Sequence, residues 1–180
     1  MNISKNQIWV LIGIVAIGVI ALVSDIEVKV EVGSKEVPSD QLQDRNGVKY
    51  EVNSQTPFTG SAVLYYDSGQ LEEKANFKDG ERDGLQEFYH DNGQLRYKEN
   101  FKDGEEDGLY ETYYDNGQLA YKANFKDGKL DGLEEYYDEN GQLKLKTNYK
   151  DGERDGILEI YHENGQLKSK GNYKNGKEID

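Results

Sequence analysis

The sequence predicts an all-β repeat protein: an elongated, twisted antiparallel sheet of five 24-residue β-hairpin repeats, preceded by one N-terminal transmembrane helix. The first observation is a fixed period, because alignment on five glycines divides the chain into five copies without a gap. The second is the Asn-Gly or Asp-Gly pair that follows alternating segments, which is a strong hairpin signal. The third is an apolar run ahead of the repeats. Units of this size bury their faces only against their neighbours. The five glycines are Gly60, Gly84, Gly108, Gly132 and Gly156.

The apolar run covers residues 8–23 and contains no charged side chain. As a helix it would span about 24 Å, somewhat less than a hydrocarbon core of about 30 Å. Lys5 precedes the run and Asp25 and Glu27 follow it, so the positive-inside rule leaves the N-terminus in the cytoplasm and exports the rest. We predict an uncleaved signal anchor over residues 1–24. The alternatives are a cleaved signal, which would give a secreted protein, and a buried core helix.

Three further segments follow the anchor. Residues 25–46 are polar, apart from a strand-like alternation at 26–32, and predict a stalk. Residues 47–59 begin with a turn signal, continue with alternating Val48, Tyr50 and Val52, and predict a capping half-repeat. Residues 60–180 then form the five repeats.

The sequence allows two registers for each hairpin. A two-residue Asn-Gly turn places Glu87 opposite Lys98, and the same Glu–Lys pairing recurs in later copies. A three-residue Asp-Asn-Gly turn with a bulge places Tyr89 opposite Leu95 and predicts that Leu85, Tyr89, Leu95 and Phe101 share one face. Burial of four such side chains outweighs one exposed ion pair, so the bulged turn is favoured.

The columns that do not change between copies carry a resemblance. The pattern G-L-x-E-x-Y-x-x-N-G-Q-L-x-x-K-x-N-[FY]-K-D-G-x-x-D-G resembles the bacterial variant of the MORN repeat. Residues 50–60 resemble the segment that often precedes such arrays in YwqK-type antitoxin proteins. The resemblance covers roughly residues 47–180 and implies immunity against a polypeptide toxin, by binding and not by catalysis. Such proteins are usually pictured as cytoplasmic, whereas the membrane segment here moves the predicted action to the outer side of the membrane.

The charge of the chain limits its partners. The formal net charge is −13, so the protein should repel nucleic-acid phosphate and anionic lipid headgroups. Basic proteins are its natural electrostatic partners, although an acidic surface also serves solubility alone. Cysteine is absent, which excludes a disulfide framework and a thiolate zinc site.

The sequence predicts a protein that is not an enzyme and holds no cofactor or metal. His90 and His162 share a repeat column with Tyr66, Tyr114 and Asp138, which is typical of an exposed, permissive position. No nucleophile–base set or phosphate-binding loop is present. The acidic turns lack the ligand spacing of calcium loops and contain basic residues, which favours solvated turns over a calcium site.

Residues that vary between copies on one sheet face predict a protein-binding surface, since repeat proteins often vary the positions that contact a partner. Plain drift would produce the same variation. The predicted set is Leu64, Tyr66, Phe88, His90, Tyr110, Tyr114, Tyr136, Ile160 and His162.

Together these features predict a membrane-anchored, extracytoplasmic, protein-binding repeat protein. Its partner would be a polypeptide toxin or an envelope protein, with the membrane contacted through the N-terminal helix and no nucleic acid bound. A module binding wall glycan or another surface polymer is the alternative, since its many tyrosines could stack on sugars, although tyrosine also fills half-buried sheets. A membrane-tethered scaffold is a third interpretation.

Overall fold

The computed structural model describes residues 35–179 in full and the strand conformation of two earlier segments, Ala21–Ser24 and Glu27–Val30. The predicted membrane segment therefore lies outside the described residues over 8–20, and its last residues belong to the first strand. Within the described part of the chain, no helix is both long enough and apolar enough to cross a membrane.

The described residues form strands β1 to β18 and one short 3-10 helix at Ser39–Gln41. The strands are β1 Ala21–Ser24, β2 Glu27–Val30, β3 Glu36–Pro38, β4 Leu42–Arg45, β5 Val48–Glu51, β6 Gly60–Tyr65, β7 Leu71–Lys78, β8 Glu81–Tyr89, β9 Leu95–Lys102, β10 Glu105–Glu106, β11 Gly108–Tyr113, β12 Leu119–Lys126, β13 Lys129–Tyr137, β14 Leu143–Lys150, β15 Glu153–Arg154, β16 Gly156–Tyr161, β17 Leu167–Lys174 and β18 Lys177–Ile179.

One 14-stranded sheet contains all five repeats. Its order is β18-β17-β16-β14-β13-β12-β11-β9-β8-β7-β6-β3, with short β10 beside β9 and short β15 beside β14. Strand pairs are antiparallel except for β3, which runs parallel to β6. The hairpins β6–β7, β8–β9, β11–β12, β13–β14 and β16–β17 thus follow one another in chain order, which confirms the predicted twisted repeat sheet.

The hairpin turns show that both predicted registers occur in the same unit. In β8–β9 the loop is Asp91-Asn92-Gly93, closed by a 2.8 Å bond from the His90 amide to the Gln94 carbonyl, and Gly93 has a φ of 81°. Tyr89 pairs with Leu95, as the three-residue turn predicts.

A bulge then shifts the ladder by one residue. Phe88 pairs with Tyr97 and Glu87 with Lys98, so the body of the hairpin has the register of the two-residue turn. Phe101 pairs with Gly84 and therefore lies on the face of Phe88, not with Leu85 and Tyr89. The prediction that Phe101 shares their face was wrong, because the bulge exchanges faces partway along the second strand.

The unchanging glycine and asparagine columns meet between successive hairpins. A Cβ on Gly108 would lie 3.2 Å from the Cβ of Asn100, and Gly132 and Asn124 have the same relation at 3.1 Å. The Asn100 amide also donates to the Leu109 carbonyl at 2.9 Å. Glycine at this position lets the asparagine of one copy reach the backbone of the next.

A small apolar core closes the N-terminal end of the array. It consists of the buried side chains of Val37, Phe58, Ala62, Ala75 and Phe77, with Leu42 packed against it. The β4–β5 hairpin docks there, because the Lys49 amide donates to the Gly80 carbonyl at 2.8 Å and the Gly80 amide donates to the Phe58 carbonyl at 2.7 Å. Residues predicted as a stalk thus include β3, the 3-10 helix and β4.

Candidate partner-binding face

One face of the sheet carries an alternating ladder of charges. Each hairpin contributes a lysine from its second strand, and each hairpin after the first, which has Val63 instead, contributes a glutamate from its first strand. Each glutamate has a lysine on both sides. We call this row the charge ladder. It runs Lys74, Glu87, Lys98, Glu111, Lys122, Glu135, Lys146, Glu159, Lys170.

The ladder forms ion pairs at two of its four glutamates, Glu111 and Glu159. Lys98 Nζ lies 2.7 Å from Glu111 Oε2, and Lys146 and Lys170 lie 2.8 and 3.0 Å from the Glu159 carboxylate. Hydrogen bonds from Lys146, Tyr161 and Lys170 lower the pKa of Glu159 to about 2. At Glu111 burial alone would raise the pKa, but the bonds from Lys98 and Tyr113 outweigh it and lower the pKa. Charges already paired within the sheet leave little for a partner to bind.

The opposite face carries a continuous row of aromatic rings. Phe88 stacks on Tyr97 with ring centroids 4.2 Å apart, and Tyr97 lies 6.2 Å from Tyr110. Tyr110 meets Tyr121 edge-on at 5.8 Å, and Tyr121 lies 4.6 Å from Tyr136. We call these five residues the aromatic row. They come from β8, β9, β11, β12 and β13 and so join three repeats.

Buried carboxylates lie beside the aromatic row. Glu134 is 6% exposed and accepts hydrogen bonds from the hydroxyls of Tyr121 at 2.9 Å and Tyr136 at 3.3 Å. Glu99 is 9% exposed, and burial raises its pKa while the charge of Arg82 acts in the opposite direction. Burial raises the pKa of Tyr97 and Tyr110 too, with the Glu99 carboxylate adding to the effect. This face therefore combines aromatic rings with negatively charged carboxylates.

Five of the nine predicted site residues lie on this face. Phe88, Tyr110 and Tyr136 belong to the aromatic row itself. Leu64 continues it at one end, opposite Glu73, and Ile160 continues it at the other, opposite Leu145. The face thus brings together residues from all five copies.

The other four predicted residues lie at the hairpin turns. The hydroxyl of Tyr66 donates to the Tyr89 carbonyl at 2.6 Å, and that of Tyr114 donates to the Tyr137 carbonyl at 2.7 Å. His90 Nε2 lies 3.3 Å from Asp115 Oδ1. The backbone amide of His162 closes its own turn by donating to Gln166 at 2.8 Å. These four residues do not share the aromatic row.

Sequence reasoning missed Tyr97, Tyr121, Glu99 and Glu134. The signal for the two tyrosines was present, since their column reads Glu73, Tyr97, Tyr121, Leu145 and Ser169 and varies as much as the columns that were used. Only first-strand positions were included in the prediction. The carboxylates had no comparable signal, because their burial depends on the rings contributed by neighbouring hairpins.

Within the part of the chain that the structure describes, no group of three or more His, Asp or Glu side chains could hold a metal ion.

The fold and its two faces define a β-hairpin repeat protein with the charge ladder on one face and the aromatic row on the other. The family model for the MORN repeat variant matches residues 58–79, 82–103, 106–127, 130–151 and 154–175. These matches cover more than half of the chain, and the chain belongs to the MORN repeat variant family. MORN repeats are often protein-binding or membrane-binding modules.

Curated proteins give no match to this sequence. Among solved structures, the crystal structure of accessory secretory protein 1, 2 and 3 in Streptococcus pneumoniae matches with 18% identity and a TM-score of 0.34, covering 56% of this chain and 18% of that one. The crystal structure of the GtfA/B complex bound to UDP and GlcNAc matches with 16% identity and a TM-score of 0.26, covering 71% and 28%. The chain spans under a third of the length of either protein, and TM-scores this low support no functional argument.

Proposed function

We propose that this protein is a non-enzymatic binding module that holds a polypeptide partner on the aromatic row. The observation that supports this most is the unbroken series of ring contacts from Phe88 to Tyr136 across five strands. Aromatic side chains are enriched in the centres of protein interfaces, where they bury a large area at a small cost in conformational entropy. The charge ladder on the other face is paired internally and offers no comparable surface.

The specific version of this proposal is an antitoxin or immunity role, in which the protein neutralises a polypeptide toxin by binding it. The net charge of −13 favours association with a basic polypeptide. The resemblance of residues 50–60 to the segment that precedes the repeats in YwqK-type antitoxin proteins points the same way. With an anchor in the N-terminal apolar run, neutralisation would take place on the outer side of the membrane.

A second candidate function is binding of wall glycan or another surface polymer. The exposure of Tyr136 favours it, since this side chain is 43% exposed and its hydroxyl already lies next to the Glu134 carboxylate. An exposed ring beside a carboxylate suits a sugar, because the ring offers an apolar surface and the carboxylate accepts hydroxyl hydrogen bonds.

Affinity capture with the full-length chain in mild detergent tests the proposal. Wild-type protein and the variants Phe88→Ser and Tyr136→Ser are each incubated with envelope and secreted fractions of the source cells at low and moderate salt. Tyr65→Ser is the matched control, since Tyr65 is 52% exposed and lies on the other face. Circular dichroism confirms that each variant is folded.

The expected result is a stoichiometric polypeptide that both row variants lose and the control retains. Growth inhibition when that polypeptide is expressed alone, relieved by co-expression of this protein, would support the immunity role. Recovery of wall polymer without a polypeptide would overturn it in favour of the glycan candidate. A captured polypeptide that binds both row variants as well as wild type would remove the aromatic row from the proposal.

A further inference from the structure

Two arginines of the repeats lie over aromatic rings. Arg82 lies over the ring of Phe101, with Cζ 5.2 Å from the centroid, and Arg154 lies over Tyr173 at 5.7 Å. Both arginines occupy the same column of the repeat, 72 residues apart. A guanidinium over an aromatic ring is a favourable electrostatic contact, so each of these two copies fills this position internally.

The other three copies have no cation in that column. The column has Arg82 in the first copy and Arg154 in the fourth, but Glu106, Leu130 and Glu178 in the second, third and fifth. Glu106 pairs with Phe101 and Leu130 with Phe125. Between the two arginine copies, the face therefore has a glutamate and a leucine in place of a guanidinium.

The two buried carboxylates at the centre form no ion pair with a lysine or arginine of residues 35–179. Burial raises the pKa of Glu99, and the charge of Arg82 acts in the opposite direction. Glu134 accepts hydrogen bonds from two tyrosine hydroxyls and forms no ion pair within the described residues, although the charge of Arg154 acts on it from a distance. Arg96 acts on Tyr97 and Tyr110 but lies on the exposed bulge residue of its hairpin. A largely buried carboxylate that forms no ion pair is costly, and an incoming cation would relieve that cost.

We infer that the centre of the aromatic row is a binding site for two arginine side chains of a basic, extended polypeptide segment, one paired with Glu99 beside Tyr110 and one with Glu134 between Tyr121 and Tyr136. Arginine fits better than lysine because its planar guanidinium is weakly hydrated, stacks on aromatic rings and pairs with a carboxylate through two hydrogen bonds. This inference rests on the proposed function and names the chemistry of the polypeptide partner.

The spacing of the two carboxylates gives the spacing of the arginines. Glu99 lies in β9 and Glu134 in β13, with β11 and β12 between them. Tyr110 of β11 pairs with Ala123 of β12, and Ala123 pairs with Glu134. Three strand-to-strand steps separate the two carboxylates, about 14 Å in all. An extended peptide crossing the strands covers that distance in about four residues, and side chains four apart point to the same side. The partner segment should therefore carry arginine at positions i and i+4.

Calorimetric titration of the full-length protein with nine-residue peptides tests this inference. The probe peptide has a Ser/Thr background and two arginines four residues apart. The comparison peptides carry two citrullines, which have the same shape without the charge, or two arginines three residues apart, which point to opposite sides. The protein variants are Glu99→Gln and Glu134→Gln. The control is Glu163→Gln, because Glu163 is exposed in the turn between β16 and β17 and its loss changes the net charge equally.

We expect each central variant to weaken binding of the probe peptide about tenfold or more, as loss of one partner of a desolvated charge pair does. The control should change affinity by less than about twofold, since a distant charge acts only through a screened field. The citrulline and three-spaced peptides should bind at least tenfold more weakly than the probe. Equal losses in Glu99→Gln and Glu163→Gln, or equal affinity for all three peptides, would overturn the inference.

A measurement of thermal stability distinguishes a role in binding from a purely structural role for these residues. Glu99→Gln should leave the thermal midpoint of the free protein unchanged or raise it, because it removes a buried charge without a partner. Tyr110→Phe should retain binding of the probe peptide, and Tyr110→Leu should lose it, since the ring is what stacks on the guanidinium. Weaker binding accompanied by a lower midpoint in Glu99→Gln, or equal binding by the two Tyr110 variants, would contradict the assignment.

Failure of this inference is distinguishable from failure of the proposed function. A captured polypeptide whose binding ignores Glu99→Gln and Glu134→Gln would overturn the arginine site and leave polypeptide binding in place. Absence of any captured polypeptide, with the arginine peptide bound as expected, would overturn the proposed partner and support the site chemistry.

Discussion

The hydroxyl of Tyr114 donates a 2.7 Å hydrogen bond to the carbonyl oxygen of Tyr137, 23 residues further along the chain and in the next hairpin. Tyr66 makes the equivalent bond to Tyr89 one pair of hairpins earlier, at 2.6 Å. His90, in the same column, contacts Asp115 of the next turn, and Asp138 bonds Lys144 of its own hairpin at 2.9 Å. A column that varies between copies therefore serves the turns in several different ways.

Replacement of Tyr114 by phenylalanine removes this bond while keeping the ring. The Tyr137 carbonyl then lacks this partner, and we expect a loss of about 1 kcal/mol in the free energy of unfolding, measured by urea titration. Tyr65→Phe is the control, because Tyr65 is 52% exposed. A Tyr114 variant of wild-type stability that no longer captures the partner would show instead that this hydroxyl belongs to the binding surface.

The asparagine column should contribute to stability in the inner copies and not in the last. Asn100 donates from Nδ2 to the Leu109 carbonyl at 2.9 Å, across two hairpins, whereas Asn172 is exposed. We expect Asn100→Ala to lower the free energy of unfolding by about 1–2 kcal/mol, through the lost bond and the unsatisfied carbonyl. Asn172→Ala should stay within about 0.5 kcal/mol of wild type. Equal effects in urea unfolding would show that the inter-hairpin bond is not the cause.

Comparison of alanine substitutions at two glycines of one repeat column distinguishes the cost of backbone strain from the cost of disturbing the N-terminal hairpin. Gly80 and Gly128 have φ values of +85° and +71°, which disfavour alanine equally by about 1–2 kcal/mol. A Cβ on Gly80 would meet the Lys49 carbonyl oxygen at 2.8 Å, whereas one on Gly128 has nothing within 4 Å. Gly80→Ala should therefore destabilise more than Gly128→Ala, by about a further 1–3 kcal/mol in thermal or urea unfolding. Matching losses would mean that β4–β5 does not pack on the first repeat.

The charge ladder predicts a dependence of stability on pH. The pKa of Glu159 falls from 4.5 to about 2 on folding, because Lys146, Tyr161 and Lys170 bond its ionised form. A lowered folded pKa stabilises the protein fully above the unfolded value, and this stabilisation is lost as the pH falls toward about 2. The difference in unfolding free energy between wild type and Glu159→Gln should thus be largest above pH 5 and shrink toward pH 2. Urea titrations at several pH values measure it.

Glu163→Gln removes the same charge from an exposed turn and is the matched control for that series. A difference between wild type and Glu159→Gln that stays constant from pH 6 to pH 2 would contradict the ladder as its source.

The period and the turn chemistry were readable because they are local. Asn-Gly and Asp-Gly pairs accept positive φ wherever they occur, and Gly93 and Asp103 adopt it here at 81° and 47°. The Glu87–Lys98 pairing was also readable from a single hairpin. The sequence did not predict that the Tyr89–Leu95 and Glu87–Lys98 pairings occur in the same hairpin. The bulge between them, which makes both possible, depends on the turn and on the strand pairing together.

The sequence predicted only part of the candidate site, for a related reason. Phe88, Tyr110 and Tyr136 were found by variation between copies, and the same criterion applied to second strands would have added Tyr97 and Tyr121. Tyr66 and Tyr114 were grouped with them by the same criterion, yet their hydroxyls bond the next hairpin. Variation marks positions free of the common scaffold and does not tell which way they point.

The sequence by itself determined the repeat, its family, the hairpin units and the acidic charge, because each depends on residues within one 24-residue copy. Only the tertiary structure decided which glutamates are neutralised and which are not. Glu111 lies between two lysines of the ladder, whereas Glu99 lies one residue along from Lys98 on the opposite face, among tyrosines of its own and the next hairpin. The physical reason is that adjacent residues of a strand face opposite ways, so neighbours from other strands set the environment of each charge.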